Sequence, residues 1–226
     1  MKKVGISILL ASALSACQIG HHDPVENGRA VFVSYKCTKC HTVAGEGGTL
    51  GPDLTFVGFR KSPEFLDRWL ISPHAWKPNV SMPNFYLQES VRKDLVAYLS
   101  TLQGQGYNPE HRPWRHAATP VEMGAQIFKQ VGCVTCHGKD GVGGYPNNNV
   151  VGGLIPALNG VREGFSRNEL IDKIRKGVAK SGKADPSGPD PLLHMPRWEQ
   201  KLTQPEIEAV ADYLLSLGGP QSSEEW

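Results

Sequence analysis

The chain has 226 residues, with 24 Lys or Arg against 22 Asp or Glu and a formal net charge of +2. That length is long for one compact domain and comfortable for two of about 100 residues each. So even a charge balance gives no basic surface for nucleic acid, and no apolar stretch is long enough to cross a membrane.

The N-terminus reads as an export leader. Lys2 and Lys3 form a positive start, and Val4 to Leu14 is an uncharged apolar run too short to span a bilayer. It ends in Leu14-Ser15-Ala16-Cys17, which resembles the lipobox of bacterial lipoproteins, where the cysteine is lipidated and becomes the new N-terminus. Residues 1–16 are therefore expected to be a lipoprotein-type signal peptide and Cys17 the lipidation site. Without Lys2 and Lys3 the basic and acidic residues are equal in number. The mature chain should be a soluble body tethered by lipid.

Further along, a helix pattern carrying Gly28 and Phe32 leads into Cys37-Thr38-Lys39-Cys40-His41. Gly51-Pro52-Asp53-Leu54 and then Met82-Pro83 follow, and an amphipathic pattern from Glu89 to Leu102 closes this half. Residues 104–119 contain Gly104, Gly106, Pro109 and Pro113, show no helical period, and are expected to be a linker. The order then repeats. Gly124 and Phe128 precede Cys133-Val134-Thr135-Cys136-His137 by the same nine and five residues; Pro156, Met195-Pro196 and a pattern from Thr203 to Leu217 follow. Two stretches, Gly138 to Gly153 and Ser181 to Pro191, lengthen the second half and read as surface loops. Residues 219–226 form a polar tail. Landmarks recurring in one order mark a duplicated domain.

An exported chain could use cysteines for disulfides, but C-x-x-C-H is the attachment signature of c-type haem. Two thioether bonds from Cys37 and Cys40, and two from Cys133 and Cys136, would hold two haems covalently. His41 and His137 would then be the proximal iron ligands. Met82 and Met195 are the distal candidates; Met1 leaves with the leader, and Met123 lies on the helix leading into Cys133. A His/Met pair raises the reduction potential and fills both axial sites, which favours electron transfer over catalysis. A structural zinc site would need four close ligands, and neither half offers a second Cys/His pair. A thioredoxin-like dithiol would need a βαβ pattern, which is absent from the sequence around both motifs. His74 and His194 are rival distal ligands. Trp69, Trp76 and Trp198 read as pocket walls or core, Arg60 as a solvated arginine with a haem propionate as the alternative, and His111 and His116 as exposed.

Both halves resemble the class I cytochromes c. The run from Cys37 to Leu54 is similar to the single-haem subunits and domains of membrane oxidases and nitric oxide reductases; Cys136-His-Gly-Lys-Asp-Gly-Val-Gly-Gly144 is similar to a loop of the dihaem cytochrome c4 group. The resemblance implies an all-α fold of two tandem domains, residues 24–103 and 120–218. It implies that the carbonyls of Pro52 and Pro156 accept the free N–H of His41 and His137. It also places Gly28 and Gly124 where the first helix of each half crosses the last, beside Tyr98 and Tyr213. The function it implies is electron transfer outside the cytoplasm, on the periplasmic side of a bacterial membrane, inner or outer. The partners expected are redox proteins, including a membrane oxidase, reductase or dehydrogenase complex. A dihaem peroxidase or thiosulfate dehydrogenase is the enzyme alternative, and a haem-based gas sensor would need an output module that the sequence lacks.

Overall fold

The computed structural model describes residues 22–218. The leader, Cys17 and the tail 219–226 lie outside the described residues. Within them the chain is predominantly helical, as the sequence patterns require. The first half holds α1 (Pro24–Ser34), α2 (Val57–Arg60), α3 (Pro63–Ile71), α4 (Pro73–Trp76) and α5 (Glu89–Thr101). The second holds α6 (Pro120–Ile127), α7 (Val134–His137), α8 (Val161–Gly164), α9 (Arg167–Lys176) and α10 (Gln204–Ser216). One short antiparallel ribbon pairs β1 (Thr42–Val43) with β2 (Glu46–Gly47).

The same devices start the corresponding helices. Asp23 caps α1 by accepting from the Val25 and Glu26 amides, and Thr119 caps α6 by accepting from the Glu122 amide. Each is followed by a proline whose missing N–H costs nothing at that position. Capping boxes pair Ser166 with Glu169 and Thr203 with Glu206 at the starts of α9 and α10.

In each half the first helix crosses the last at a glycine. A Cβ on Gly28 would overlap the Asp94 carbonyl oxygen and lie 2.7 Å from Tyr98 Cβ; on Gly124 it would overlap the Ala209 carbonyl oxygen and lie 2.7 Å from Tyr213 Cβ. Beside the crossing an aromatic pair repeats. Phe32 and Tyr98 have centroids 5.5 Å apart, Phe128 and Tyr213 5.4 Å, tilted by 54° and 56°. Backbone meets backbone here, so a methyl group cannot be absorbed by turning a side chain. Gly124→Ala should destabilise the second half by about 3 kcal/mol or more, read by guanidinium unfolding, and Gly28→Ala should do the same to the first. An unchanged midpoint in either variant would show that the crossing is loose.

Each half has its own buried cluster. Phe32, Val57, Leu66, Leu70, Leu95 and Leu99 belong to the first. The second gathers Ile127, Phe128, Val131, Ile174, Ile207, Val210 and Leu214, and it also takes in Phe56, Tyr107 and Trp114 from outside that half. Residues 104–119, the expected linker, are packed against the second half along part of their length. Pro113–His116 form a 3-10 turn, and Trp114 is 1% exposed, with Nε1 donating to Glu206 Oε1 at 2.6 Å. Arg112 pairs with Glu206 and donates to the Lys201 carbonyl at 2.8 Å. Burial pushes the Glu206 carboxyl up, but hydrogen bonds from Arg112, Thr203 and Trp114 outweigh it and hold the group below its usual range. Such a segment is anchored one residue at a time and leaves no period to find.

The halves differ around their cysteines. In the first, Lys36 adopts φ 61° and Cys37–Lys39 form a 3-10 turn. In the second, α6 runs through a π-helical turn, Phe128–Gly132, into α7. The two long loops of the second half dock on one another. Asn147 exchanges hydrogen bonds with the Leu193 backbone, Asn148 bonds to Asp190 and Leu192, and Asn149 bonds to Asp185 and Pro189. Three consecutive side-chain amides thereby give two irregular segments one shared conformation.

Candidate functional site

The first site is assembled around His41. Its Nδ1 lies 2.8 Å from the Pro52 carbonyl oxygen. Gly51 passes against the ring face so closely that a Cβ there would lie 2.5 Å from Cε1. Position 51 must therefore stay without a side chain for the imidazole to keep this orientation. Burial lowers the His41 pKa, and the Pro52 contact opposes it only in part, so the ring is neutral at pH 7, the form that binds iron. Cys37 and Met82 both pack against the buried cluster of this half. Trp69 Nε1 donates to Met82 Sδ at 3.2 Å.

The second site repeats the plan with more cover. His137 Nδ1 lies 3.3 Å from the Pro156 carbonyl oxygen, and burial again lowers its pKa. Cys133 and Met195 pack against the cluster of the second half. Burial pushes the Cys133 thiol up to about 12. Cys136 is also pushed up by burial, but Lys61 and Arg60 outweigh this and bring it below its ordinary value. The backbone at Met195 is pinned by the Val178 amide, which donates to its carbonyl at 2.8 Å.

All four paired cysteines are free of disulfides. Among the described residues no group of three or more His, Cys, Asp or Glu is arranged to hold a metal ion. What each half does offer suits a haem: two thiols, an imidazole oriented through its other nitrogen, and a thioether, with one of the cysteines and the methionine against a shared apolar cluster. His74 and His194, the rival ligands, are exposed, whereas Met82 and Met195 are half-buried.

The cytochrome c family profile matches residues 25–103 and again 121–218. The chain belongs to the cytochrome c family. It is 25% identical over 206 residues to CcoP of the cbb3-type cytochrome c oxidase of Helicobacter pylori strain 52, covering 88% of this chain and 60% of that protein. It is 33% identical over 85 residues to cytochrome c oxidase subunit 2 of Alkalihalophilus pseudofirmus, 34% of this chain and 25% of that one. It is 30% identical over 83 residues to a nitric oxide reductase subunit of Stutzerimonas stutzeri, 34% of this chain and 57% of that one. The chain thus spans less than two thirds of the CcoP relative. Cysteine spacing and family together make this a protein of haem-mediated electron transfer.

Within this cytochrome c, Arg60 at the end of α2 differs from expectation, and Lys61 just after it is buried too. Arg60 is not a solvated arginine; it is 8% exposed, with Nη1 donating to the Gly132 carbonyl at 3.2 Å and to Thr135 Oγ1 at 2.6 Å. Its Nη2 donates to the Asp53 carbonyl at 3.1 Å. Lys61 was invisible to the sequence patterns, yet its Nζ lies 3.1 Å from Cys136 Sγ and over the rings of Phe65 and Tyr145 at 4.5 and 5.2 Å. A charged pair ending a helix ordinarily faces water. These two are covered because the second half sits on them. Trp198 is buried core, as expected, with Phe59 5.3 Å from it in a T-shaped arrangement. Trp76 is half-buried, its ring 5.2 Å from that of Phe65. His111 and His116 are exposed.

Proposed function

We propose that this cytochrome c carries two covalent haems, one in each of two domains, residues 24–103 and 120–218, and passes electrons between redox proteins outside the cytoplasm. Cys37 and Cys40 hold the first haem, with His41 and Met82 as its axial ligands. Cys133 and Cys136 hold the second, with His137 and Met195. When bound, the haems supply the one-electron iron couple. The protein's own part is to orient each imidazole, keep it neutral and wall the site from water. Cys17 carries a lipid that tethers the domains to the periplasmic face of a bacterial membrane.

The observation that carries this reading is the repeated histidine support, His41 on Pro52 and His137 on Pro156. Each sits in a half whose cysteine and methionine share one apolar cluster. Likeness to subunits of oxidases and of nitric oxide reductase supports service to a membrane respiratory complex, whether as a freestanding carrier or as a component. Intact mass of the membrane-extracted protein tests haem and anchor together. It should equal residues 17–226 plus two haems plus a diacylglyceryl group, with or without a further acyl chain. A mass short of a haem removes one site, and a mass without lipid removes the tether.

A further inference from the structure

The seam between the halves is built from residues next to the haem ligands on both sides. Phe56 and Phe59, at α2, lie against Trp198, with centroids 6.3 and 5.3 Å apart. Trp198 stands three residues after Met195. From the same short helix Arg60 reaches Gly132 and Thr135, which precede and lie within the second cysteine pair. It also holds the carbonyl of Asp53, the neighbour of the Pro52 that supports His41. One helix thus hangs from the loop behind the first proximal histidine and touches both segments that flank the second site.

Among the described residues no carboxylate accepts a hydrogen bond from Arg60. Its three acceptors are neutral oxygens, and its buried Nε has no hydrogen-bond partner among the described residues. The nearby Asp53 carboxylate is otherwise engaged: Oδ1 accepts from the Thr55 amide at 2.7 Å and Oδ2 from the Tyr107 hydroxyl at 2.6 Å. A guanidinium stays charged even when buried. Apolar side chains would fill such a seam at less cost than a guanidinium hydrogen-bonded only to neutral oxygens, so stability alone does not account for it.

We propose that Arg60 is a positioning residue that fixes the second haem-attachment turn against the first proximal loop, setting the path for electron exchange between the two haems of one chain, and that its charge raises the potential of the second haem. This rests on the reading that each half carries a haem. The step is a one-electron exchange, one iron oxidised as the other is reduced, with no bond made or broken. A fixed cation in a poorly solvated site favours the less positive, reduced iron. The fork of Arg60, shared between Asp53 and the Gly132–Thr135 turn, keeps the two loops in register.

The test uses the full-length, haem-loaded protein with Arg60→Gln, Arg60→Lys and Thr135→Val. Redox titration reads the two potentials, with Met195→His added to mark the second haem, and laser photoreduction reads the exchange rate. Arg60→Gln should lower the second potential and slow exchange by about tenfold, as a lost positioning contact does. Arg60→Lys should keep the potential but slow exchange, because the charge remains and the fork does not. Thr135→Val should slow exchange by a smaller factor at unchanged potential. Equal falls in potential for Lys and Gln would overturn the charge role, and an unchanged exchange rate in Arg60→Gln the positioning role. Should Arg60→Gln fail to accumulate, unchanged exchange in both other variants overturns the positioning role. Haem content by mass reads the underlying assignment separately. A wild type with one haem removes that assignment and the proposal together, whereas two haems with unchanged potentials and rates overturn the proposal alone.

Discussion

Changing Cys133 and Cys136 together to alanine should remove one of two covalent haems and leave the other in place. The two sites share no cysteine, and Cys37 packs against one apolar cluster while Cys133 packs against the other. Loss of the second pair therefore leaves the first site's thiols, histidine and wall untouched. The intact mass should fall by one haem, and the haem-to-chain ratio by alkaline pyridine spectroscopy should halve. The second half should also lose much of its stability, because an apolar cluster meant to close on a haem would face water. Its long loops and α9 should become the first sites of protease cleavage, while α1 to α5 stay protected. Two haems retained in the double variant would show that attachment does not use Cys133 and Cys136.

The second large effect concerns Met82 and Met195. A neutral thioether stabilises reduced iron relative to a second imidazole, so both potentials should lie above those of bis-histidine haems. With both axial sites filled, the wild type should be low-spin in each oxidation state and should bind carbon monoxide poorly. Met82→Ala should open the first haem alone, giving a high-spin ferric signal and ready carbon monoxide binding at half the total haem; Met195→Ala should do the same at the second. The weak long-wavelength band of methionine–iron ligation should fall by part in each variant. The two will differ in one respect. Met195 is held at its backbone by Val178 and at its approach by the Asn147–Leu193 bonds, so the second pocket should keep its shape when the side chain is lost. A high-spin wild type that consumes peroxide rapidly would replace the carrier reading with a peroxidase. Low-spin haem lacking the methionine band at one site would point to His74 or His194.

Much of this protein is legible from its residues in order. The duplication and the helical patterns follow from the order of residues, and the glycine crossings and both histidine supports from the resemblance to class I cytochromes c. A helix crossing at backbone contact has no room for a side chain, which is why the glycines stand there. Gly28 and Gly124 were legible because their spacing to the cysteines is the same in both halves. Arg60, Lys61 and Trp114 were not. Nothing in Phe59-Arg60-Lys61-Ser62 distinguishes a buried guanidinium from a solvated one, because its partners Gly132 and Thr135 lie more than seventy residues away. Nor does His-Arg-Pro-Trp-Arg-His reveal that Trp114 is core, since each side chain there is held by a separate partner and no period results.

The sequence by itself determined the helical class and the repeat, and with them the expectation of a haem in each half, because the C-x-x-C-H signature and helix packing depend on spacings along the chain. Only the tertiary structure decided how the halves meet. It brought the end of α2 onto the second cysteine pair, drew Phe56, Tyr107 and Trp114 into the second cluster, and covered two cations that would otherwise face water. Those contacts join residues far apart in sequence through surfaces with no repeating pattern, so they exist only once both halves have folded and docked.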